Sequence, residues 1–173
     1  MSPALIFNIQ LILGYVPWLL FLGAYGWPWL KSMDRSEAHR AIATLHSFRF
    51  FGLVFMVPGV VGGDLPAGFA SYAAYGDFTT GILAMLALLT VRMRPLFWLL
   101  VVAFNAVGAV DLLTAYYHGN EFGLPALAGE LGAAYAVPII YVPALMITHV
   151  VAFYLLLQQR PAADQALVNR AAH

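Results

Sequence analysis

Long apolar stretches separated by short polar ones form the main pattern of this chain. Residues 1–30 contain no charged side chain, and residues 131–159 contain none either. A helix needs about 20 consecutive apolar residues to cross the hydrocarbon core of a bilayer, and both stretches are longer than that. The whole pattern predicts five transmembrane helices, at about 4–30, 41–62, 69–91, 96–117 and 137–158.

The composition agrees with a protein that is surrounded by lipid. Of the 173 residues, 62% are hydrophobic and 9% are charged, and the mean hydropathy is +0.82. A soluble domain carries about 25% charged residues, so this chain has too little polar surface to cover a globule in water. We therefore expect an all-α, polytopic transmembrane bundle over residues 1–158, followed by a polar tail at 159–173.

The distribution of charge predicts the orientation of this bundle. Seven of the eight Lys and Arg residues fall within 31–40, 92–94 and 160–170, which are the first link, the third link and the tail. The second and fourth links contain no cation and instead carry Asp64, Glu121 and Glu130. The positive-inside rule then places the N-terminus outside and the C-terminus in the cytoplasm of a cell inner membrane.

Charge and cysteine content exclude several classes of protein. The formal net charge is zero, which gives no basis for binding nucleic acid. The chain has no cysteine, so disulfides, thiolate metal sites, iron–sulfur clusters and covalently attached c-type haem are excluded. The remaining partners to consider are the lipid bilayer, a lipidic small molecule and the subunits of a membrane complex.

Several polar residues lie inside the predicted helices, where they are costly and often functional. With a rise of about 1.5 Å per residue, four of them fall within about 9–14 Å of the inner membrane boundary: His46, Arg49, Asn105 and His149. Asp77 and Asp111 form a second layer at about 21–23 Å. Because Arg49 needs a compensating group, we expect one of these two acids to be its partner, bridged by water if the layers stay about 7–9 Å apart.

These residues predict a ligand site at His46, Arg49 and His149, with Asp77, Asn105 and Asp111 as intramembrane polar partners. His46 and Arg49 are three residues apart and so share a helix face. The structural alternative is that Arg49 only pairs with an acid to hold helices together, and that Asn105 forms an interhelical hydrogen bond. We predict no metal site, although His46 and His149 lie at one depth and are alternative axial ligands for a b-type haem.

One part of the chain resembles the DoxX-like small integral membrane proteins. The stretch from His46 reads H-S-F-R-F-F-G-L-V-F-M-V-P-G, and it is followed by D-L-P-A-G-F-A and by A-Y-G-D-F-T-T-G-I-L-A-M-L. Arg49, Gly52 and Gly59 match the early-helix pattern of that family. The resemblance implies a four-helix bundle and a link to quinone-dependent oxidoreduction. A fifth helix and His149 have no counterpart in it.

Three hypotheses of function follow. The first is a small membrane protein that binds a lipidic or quinone-like ligand and is linked to redox chemistry. The second is a haem b protein with two histidine ligands. The third is a structural accessory subunit of a larger membrane complex, without chemistry of its own. No sequence motif assigns a reaction.

Overall fold

The computed structural model describes residues 1–158, and the predicted tail lies outside the described residues. Within them the protein is all-helical, as the sequence predicts, with one isolated bridge between Pro58 and Val61 in a link. Four helices are long and apolar enough to cross a membrane. We label them α1 (Pro3–Ser32), α3 (Ala67–Leu89), α4 (Arg94–Glu121) and α5 (Val137–Leu157).

The second predicted helix, at 41–62, differs most from the structure. Here α2 (Arg35–Ser47) is followed by a 3₁₀ helix over Phe48–Met56. The start is earlier than predicted because Asp34 caps it: its side chain accepts from the Glu37 N–H at 2.9 Å, and Glu37 accepts from the Asp34 N–H in return. This capping box makes most of the predicted first link helical. The 3₁₀ helix ends before Pro58 and Gly59, and Gly59 has φ +82°.

Two helices contain a π-helical turn, and both turns end two residues before a proline. In α1 the turn Leu22–Gly26 precedes Trp27 and Pro28, and in α5 the turn Val137–Tyr141 precedes Val142 and Pro143. A proline has no N–H to donate and its ring crowds the carbonyl of residue i−4. The wider turn relieves that conflict without ending the helix.

The fourth link is structured. Two short 3₁₀ pieces cover Ala128–Tyr135 and are joined at a kink at Gly132, where φ is +51°. They contact the second link through two backbone hydrogen bonds, Gly62 N–H to Glu130 O at 2.7 Å and Ala133 N–H to Val60 O at 3.1 Å. Glu130 also accepts from the Asp64 N–H at 3.2 Å. The second and fourth links therefore form one cap over this end of the bundle.

The interior consists of two apolar clusters with a polar layer between them. The first cluster lies towards the start of α2, and its buried side chains include Leu30, Ile42, Phe97, Val101, Phe104 and Leu155. The second lies towards the linked cap and includes Phe7, Phe55, Phe69, Leu124, Leu131 and Val137. Between them are buried His46, Arg49, Asp77, Asn105, Asp111 and His149.

Candidate functional site: a buried Arg–Asp–Asp–His cluster

Arg49 is the centre of the polar layer, and its side chain is fully buried. It projects inward because a 3₁₀ helix repeats every three residues, so Arg49, Gly52 and Phe55 share the buried face of Phe48–Met56. The opposite side of this short helix is aromatic and exposed at Phe48 and Phe51. His46, which the sequence predicts to share a face with Arg49, is buried as well.

Arg49 binds both acids of the second layer directly. Its Nε donates to Asp77 Oδ1 at 2.6 Å, and its Nη2 donates to Asp111 Oδ2 at 2.5 Å. The prediction of one acidic partner, reached through water, is therefore wrong. The guanidinium lies at the end of a long side chain and contacts both carboxyl groups at once, so no water is needed between them.

The remaining donors of Arg49 are also used inside the protein. Nη1 donates to the backbone carbonyl of Gly108 at 3.3 Å and lies 3.2 Å from His149 Nε2. Four of the five guanidinium N–H groups thus have partners among the described residues. Arg49 is consequently occupied as a structural centre and has little capacity to hold a further acceptor.

Hydrogen bonding fixes the tautomer of His149. Asn105 donates from Nδ2 to the Val101 carbonyl at 2.8 Å, which leaves its Oδ1 as an acceptor, 2.9 Å from His149 Nδ1. Nδ1 must then carry the proton, and Nε2 accepts from Arg49. His149 is therefore neutral, and Asn105 forms the interhelical hydrogen bond that the sequence predicts.

His46 lies beside this network without joining it. Thr148 donates its hydroxyl to the carbonyls of Ala144 and Leu145, so it accepts from His46 Nε2 at 3.0 Å. The other ring nitrogen, Nδ1, is buried and has no hydrogen-bond partner within residues 1–158. The rings of His46 and His149 are in contact, with centroids 4.1 Å apart and planes inclined to each other by 38°.

This arrangement does not fit a haem. Axial ligands bind iron from opposite faces of the macrocycle, so its plane has to pass between the two imidazoles. The two rings are in contact, with centroids only 4.1 Å apart, and so leave no such gap. In addition, His46 Nε2 and His149 Nε2 are both engaged, with Thr148 and Arg49 respectively.

Three glycines make room for the cluster, and the sequence analysis did not assign two of them. A Cβ on Gly108 would lie 2.6 Å from Arg49 Nη1, from His149 Nε2 and from Thr80 Cγ2. A Cβ on Gly76 would overlap Asp111 Oδ1, and one on Gly52 would overlap the Asp77 side chain. In the sequence each of these glycines lies within three residues of a polar residue of the layer: Gly52 of Arg49, Gly76 of Asp77, and Gly108 of both Asn105 and Asp111.

A cavity lies between the cluster and the linked cap. Its walls are mainly apolar, and they include the aromatic side chains of Phe7, Phe55 and Phe69. About 70 Å³ of it is open to the centre of a water molecule, several times the roughly 10–15 Å³ that one water requires. Asp77 and Asp111 lie in its wall, whereas His46, Arg49 and His149 do not.

The structure therefore brings all six predicted polar residues into one cluster, but only the two acids reach the cavity. Asp111 Oδ1 is buried and has no hydrogen-bond partner within the described part of the chain. Asn8, Tyr116 and Asn120 are further polar side chains in the cavity wall, and sequence reasoning did not assign them to a site because each lies near a helix end.

Over residues 1–158, fold and site together define an all-helical protein with four helices that are long and apolar enough to span a membrane and a charged cluster buried among them. Residues 6–157 match the model of a family described as "Domain of unknown function (DUF8737)". The chain belongs to this family. No curated protein and no solved structure matches the chain.

Proposed function

We propose that this is a multi-pass protein of a cell inner membrane that binds a lipidic or quinone-like ligand in the cavity above the Arg49 cluster. One observation carries the proposal: an apolar, partly aromatic cavity ends at two carboxyl groups that are tied to a fully buried arginine. Apolar walls with a few convergent polar groups are typical of small-molecule sites.

Five crossings with the N-terminus outside fit this proposal. The segment Arg35–Met56 has 13 residues of α-helix and 9 of 3₁₀ helix. At about 1.5 and 2.0 Å per residue it reaches roughly 37 Å, which exceeds a hydrocarbon core of about 30 Å. Its exposed Phe48 and Phe51 suit contact with lipid. With the cationic links inside, the cavity and its cap are on the outer side.

Asp77 and Asp111 are the groups proposed to contact the ligand, and His46, Arg49 and His149 are proposed to position them. Nearly all donors of Arg49 and the Nε2 donor of His46 are used within the protein. A ligand in the cavity instead meets the carboxyl groups at one end and the aromatic wall along its sides. The proposed link to redox chemistry comes from the resemblance to DoxX-like proteins.

An accessory subunit of a membrane complex is the second candidate. Over Pro3–Phe21 of α1 only Phe7 is buried, so most of this part of the helix faces its surroundings. Lipid would cover that surface, and so would a helix of another subunit. Purification in a mild detergent, followed by mass spectrometry of copurified proteins, tests for such a partner.

Filling the cavity tests the ligand proposal. Ala115 lies in the cavity wall, and Ala106, nine residues earlier on α4, is exposed on the opposite helix face. We expect Ala115→Phe to weaken binding of a short-tailed quinone analogue at least tenfold in nanodiscs, and Ala106→Phe to leave it unchanged. Equal affinity in both variants and the wild type, with all three folded, would refute the cavity as the site.

A further inference from the structure

The end of the cavity that borders the buried cluster carries hydrogen-bond acceptors but no cation. Asp77 and Asp111 lie in the cavity wall, whereas no Lys, Arg or His side chain of the described residues does. Arg49 lies behind the two acids and pairs with them at 2.6 and 2.5 Å. An opposite charge at this distance favours the ionised form of a carboxyl group, so one guanidinium faces two carboxylates.

The two buried histidines beside the cluster supply no further positive charge. His149 is neutral because Nδ1 donates to Asn105 and Nε2 accepts from Arg49. His46 donates from Nε2 to Thr148, and its Nδ1 is buried without a partner within residues 1–158. A proton on that nitrogen would leave a charged, unpaired N–H near Arg49, so His46 is neutral as well. The cluster therefore lacks one positive charge.

The four carboxyl oxygens differ in what they can still bind. Asp77 Oδ1 and Asp111 Oδ2 accept from Arg49, and Asp111 Oδ1 is closed off against Gly76, which is not part of the cavity wall. Asp77 Oδ2 receives no hydrogen bond from the described residues and, unlike Asp111 Oδ1, is not closed off. Asp77 as a whole is 5% exposed and borders this cavity. Of the four oxygens, Asp77 Oδ2 is therefore the one that can accept from a ligand.

Asp77 Oδ2 lies at the base of the cavity, beside the 3₁₀ helix. It packs over Gly52, where a Cβ would overlap it. Phe55 follows Gly52 by one 3₁₀ turn on the same buried face, and its ring lies in the cavity wall together with Asp77. A ligand that follows the Phe55 ring inward therefore reaches the Asp77 carboxyl group.

The donors of the cavity wall lie further towards the linked cap. Tyr116, with its hydroxyl, and Asn120, with its amide, come five and nine residues after Asp111 on α4. At about 1.5 Å per residue, they are roughly 7 and 13 Å further along the helix axis. A ligand carbonyl placed at the cluster would thus meet carboxylate oxygens, whereas an O–H or N–H group would meet an acceptor that is still unpaired.

We propose that Asp77 Oδ2 is the recognition group of the cavity, and that it selects a ligand whose leading end carries a hydrogen-bond donor. This inference rests on the proposed function, because it concerns the ligand of the same cavity. Of a quinone and its hydroquinone, the hydroquinone fits, since its hydroxyl donates to the carboxylate in a charge-assisted hydrogen bond. An ammonium group shares this chemistry, and binding measurements separate the two.

Comparison of matched ligands tests the proposal in the wild type alone. The probes are a short-tailed hydroquinone kept reduced, its quinone, its dimethyl ether and an arylalkylammonium with the same tail, titrated by calorimetry into nanodiscs, with empty nanodiscs as the blank. A hydrogen bond to a charged group is worth about 1.5–3 kcal/mol, so the hydroquinone should bind at least roughly tenfold more tightly than the quinone or the ether. The ammonium should also bind more tightly than the ether, and its rank against the hydroquinone tells whether a cationic or a neutral donor is preferred.

Asp77→Asn should reverse the preference. Arg49 Nε–H needs an acceptor, so the new amide keeps its oxygen towards Arg49 and turns its NH₂ group to the place of Oδ2. The variant should then bind the quinone more tightly than the hydroquinone. Asp111→Asn makes the same chemical change beside Arg49, but its Oδ1 is closed off, so the hydroquinone should stay preferred there.

The outcomes separate this inference from the proposed function. If all probes bind equally in the wild type and Ala115→Phe weakens all of them, the donor rule is refuted and the cavity stays supported as the site. Tighter binding of the quinone in the wild type, or an unchanged preference in folded Asp77→Asn, would also overturn the role of Asp77. If none of the probes binds, or if Ala115→Phe has no effect on any of them, the ligand site is refuted and this inference with it.

Discussion

Replacing Arg49 should destabilise the protein more than any other single substitution in the cluster. Arg49→Met keeps most of the apolar stem but removes the guanidinium that contacts two carboxyl groups, one backbone carbonyl and one imidazole. Removing one partner of a buried ion pair costs about 3–5 kcal/mol, because the other charge is left without compensation. Here two carboxyl groups are left, so the expected loss is at the upper end of that range.

The two acids should respond differently from Arg49. After either Asp→Asn change one carboxylate remains opposite Arg49, so the buried charges are still paired. We therefore expect Asp77→Asn and Asp111→Asn each to cost much less than Arg49→Met. The triple variant removes every charge and should recover a large part of the loss, since converting a whole buried ion cluster to neutral groups is far less costly than breaking it.

Thermal and denaturant unfolding in one detergent measures these differences. For soluble domains of about this size, 3–5 kcal/mol corresponds to about 6–20 °C in melting temperature. Arg40→Met is the matched control, because Arg40 is exposed on α2 and should change stability by less than about 0.5 kcal/mol. The reasoning is refuted if Arg49→Met behaves like Arg40→Met, or if the losses of Arg49→Met and the Asn variants simply add in the triple variant.

Two further predictions concern packing and topology. Gly108→Ala should lower the unfolding free energy by about 1–3 kcal/mol, because the new Cβ would lie 2.6 Å from Arg49, His149 and Thr80. Gly23→Ala is the control: its Cβ would meet nothing within 4 Å, so the same melts should show no measurable change. Reporter fusions after residues 66, 93, 128 and 173 should report outside, inside, outside and inside, and an outside signal at 173 would contradict five crossings.

Composition and hydropathy were sufficient to predict the helical class and four of the helices. The bounds of these four helices follow from the lengths of the apolar stretches, because the thickness of the bilayer sets how many apolar residues a spanning helix needs. The 3₁₀ helix Phe48–Met56 was not predictable in this way, because an apolar run has the same hydropathy in either helix type. The capping box at Asp34 and Glu37 was present in the sequence as D-R-S-E, and it explains why α2 begins at Arg35.

The composition of the cluster could be predicted, but its contacts could not. Ionisable residues within apolar helices tend to face the bundle interior, and this principle alone predicts that Arg49, Asp77, Asp111 and His149 lie there together. Asn105 and Asp111 are about 120° apart on α4, which left open whether they share a site. The structure answers this through their partners: Asn105 binds His149 from α5, Asp111 binds Arg49, and these two partners contact each other.

The 3₁₀ helix is what allows one arginine to serve two acids on different helices. In an α-helix, successive residues three apart rotate by about 60° away from one face, whereas in a 3₁₀ helix they stay aligned. Alignment places Gly52 one turn beyond Arg49, where the missing side chain admits Asp77 of α3. Further along α3, Gly81 packs against the backbone of the 3₁₀ helix at Phe50. A Cβ on Gly81 would lie 2.8 Å from the Phe50 backbone nitrogen. Close approach of these two backbones fixes the Arg49 guanidinium between α3 and α4, and so holds both carboxyl groups at the base of the cavity.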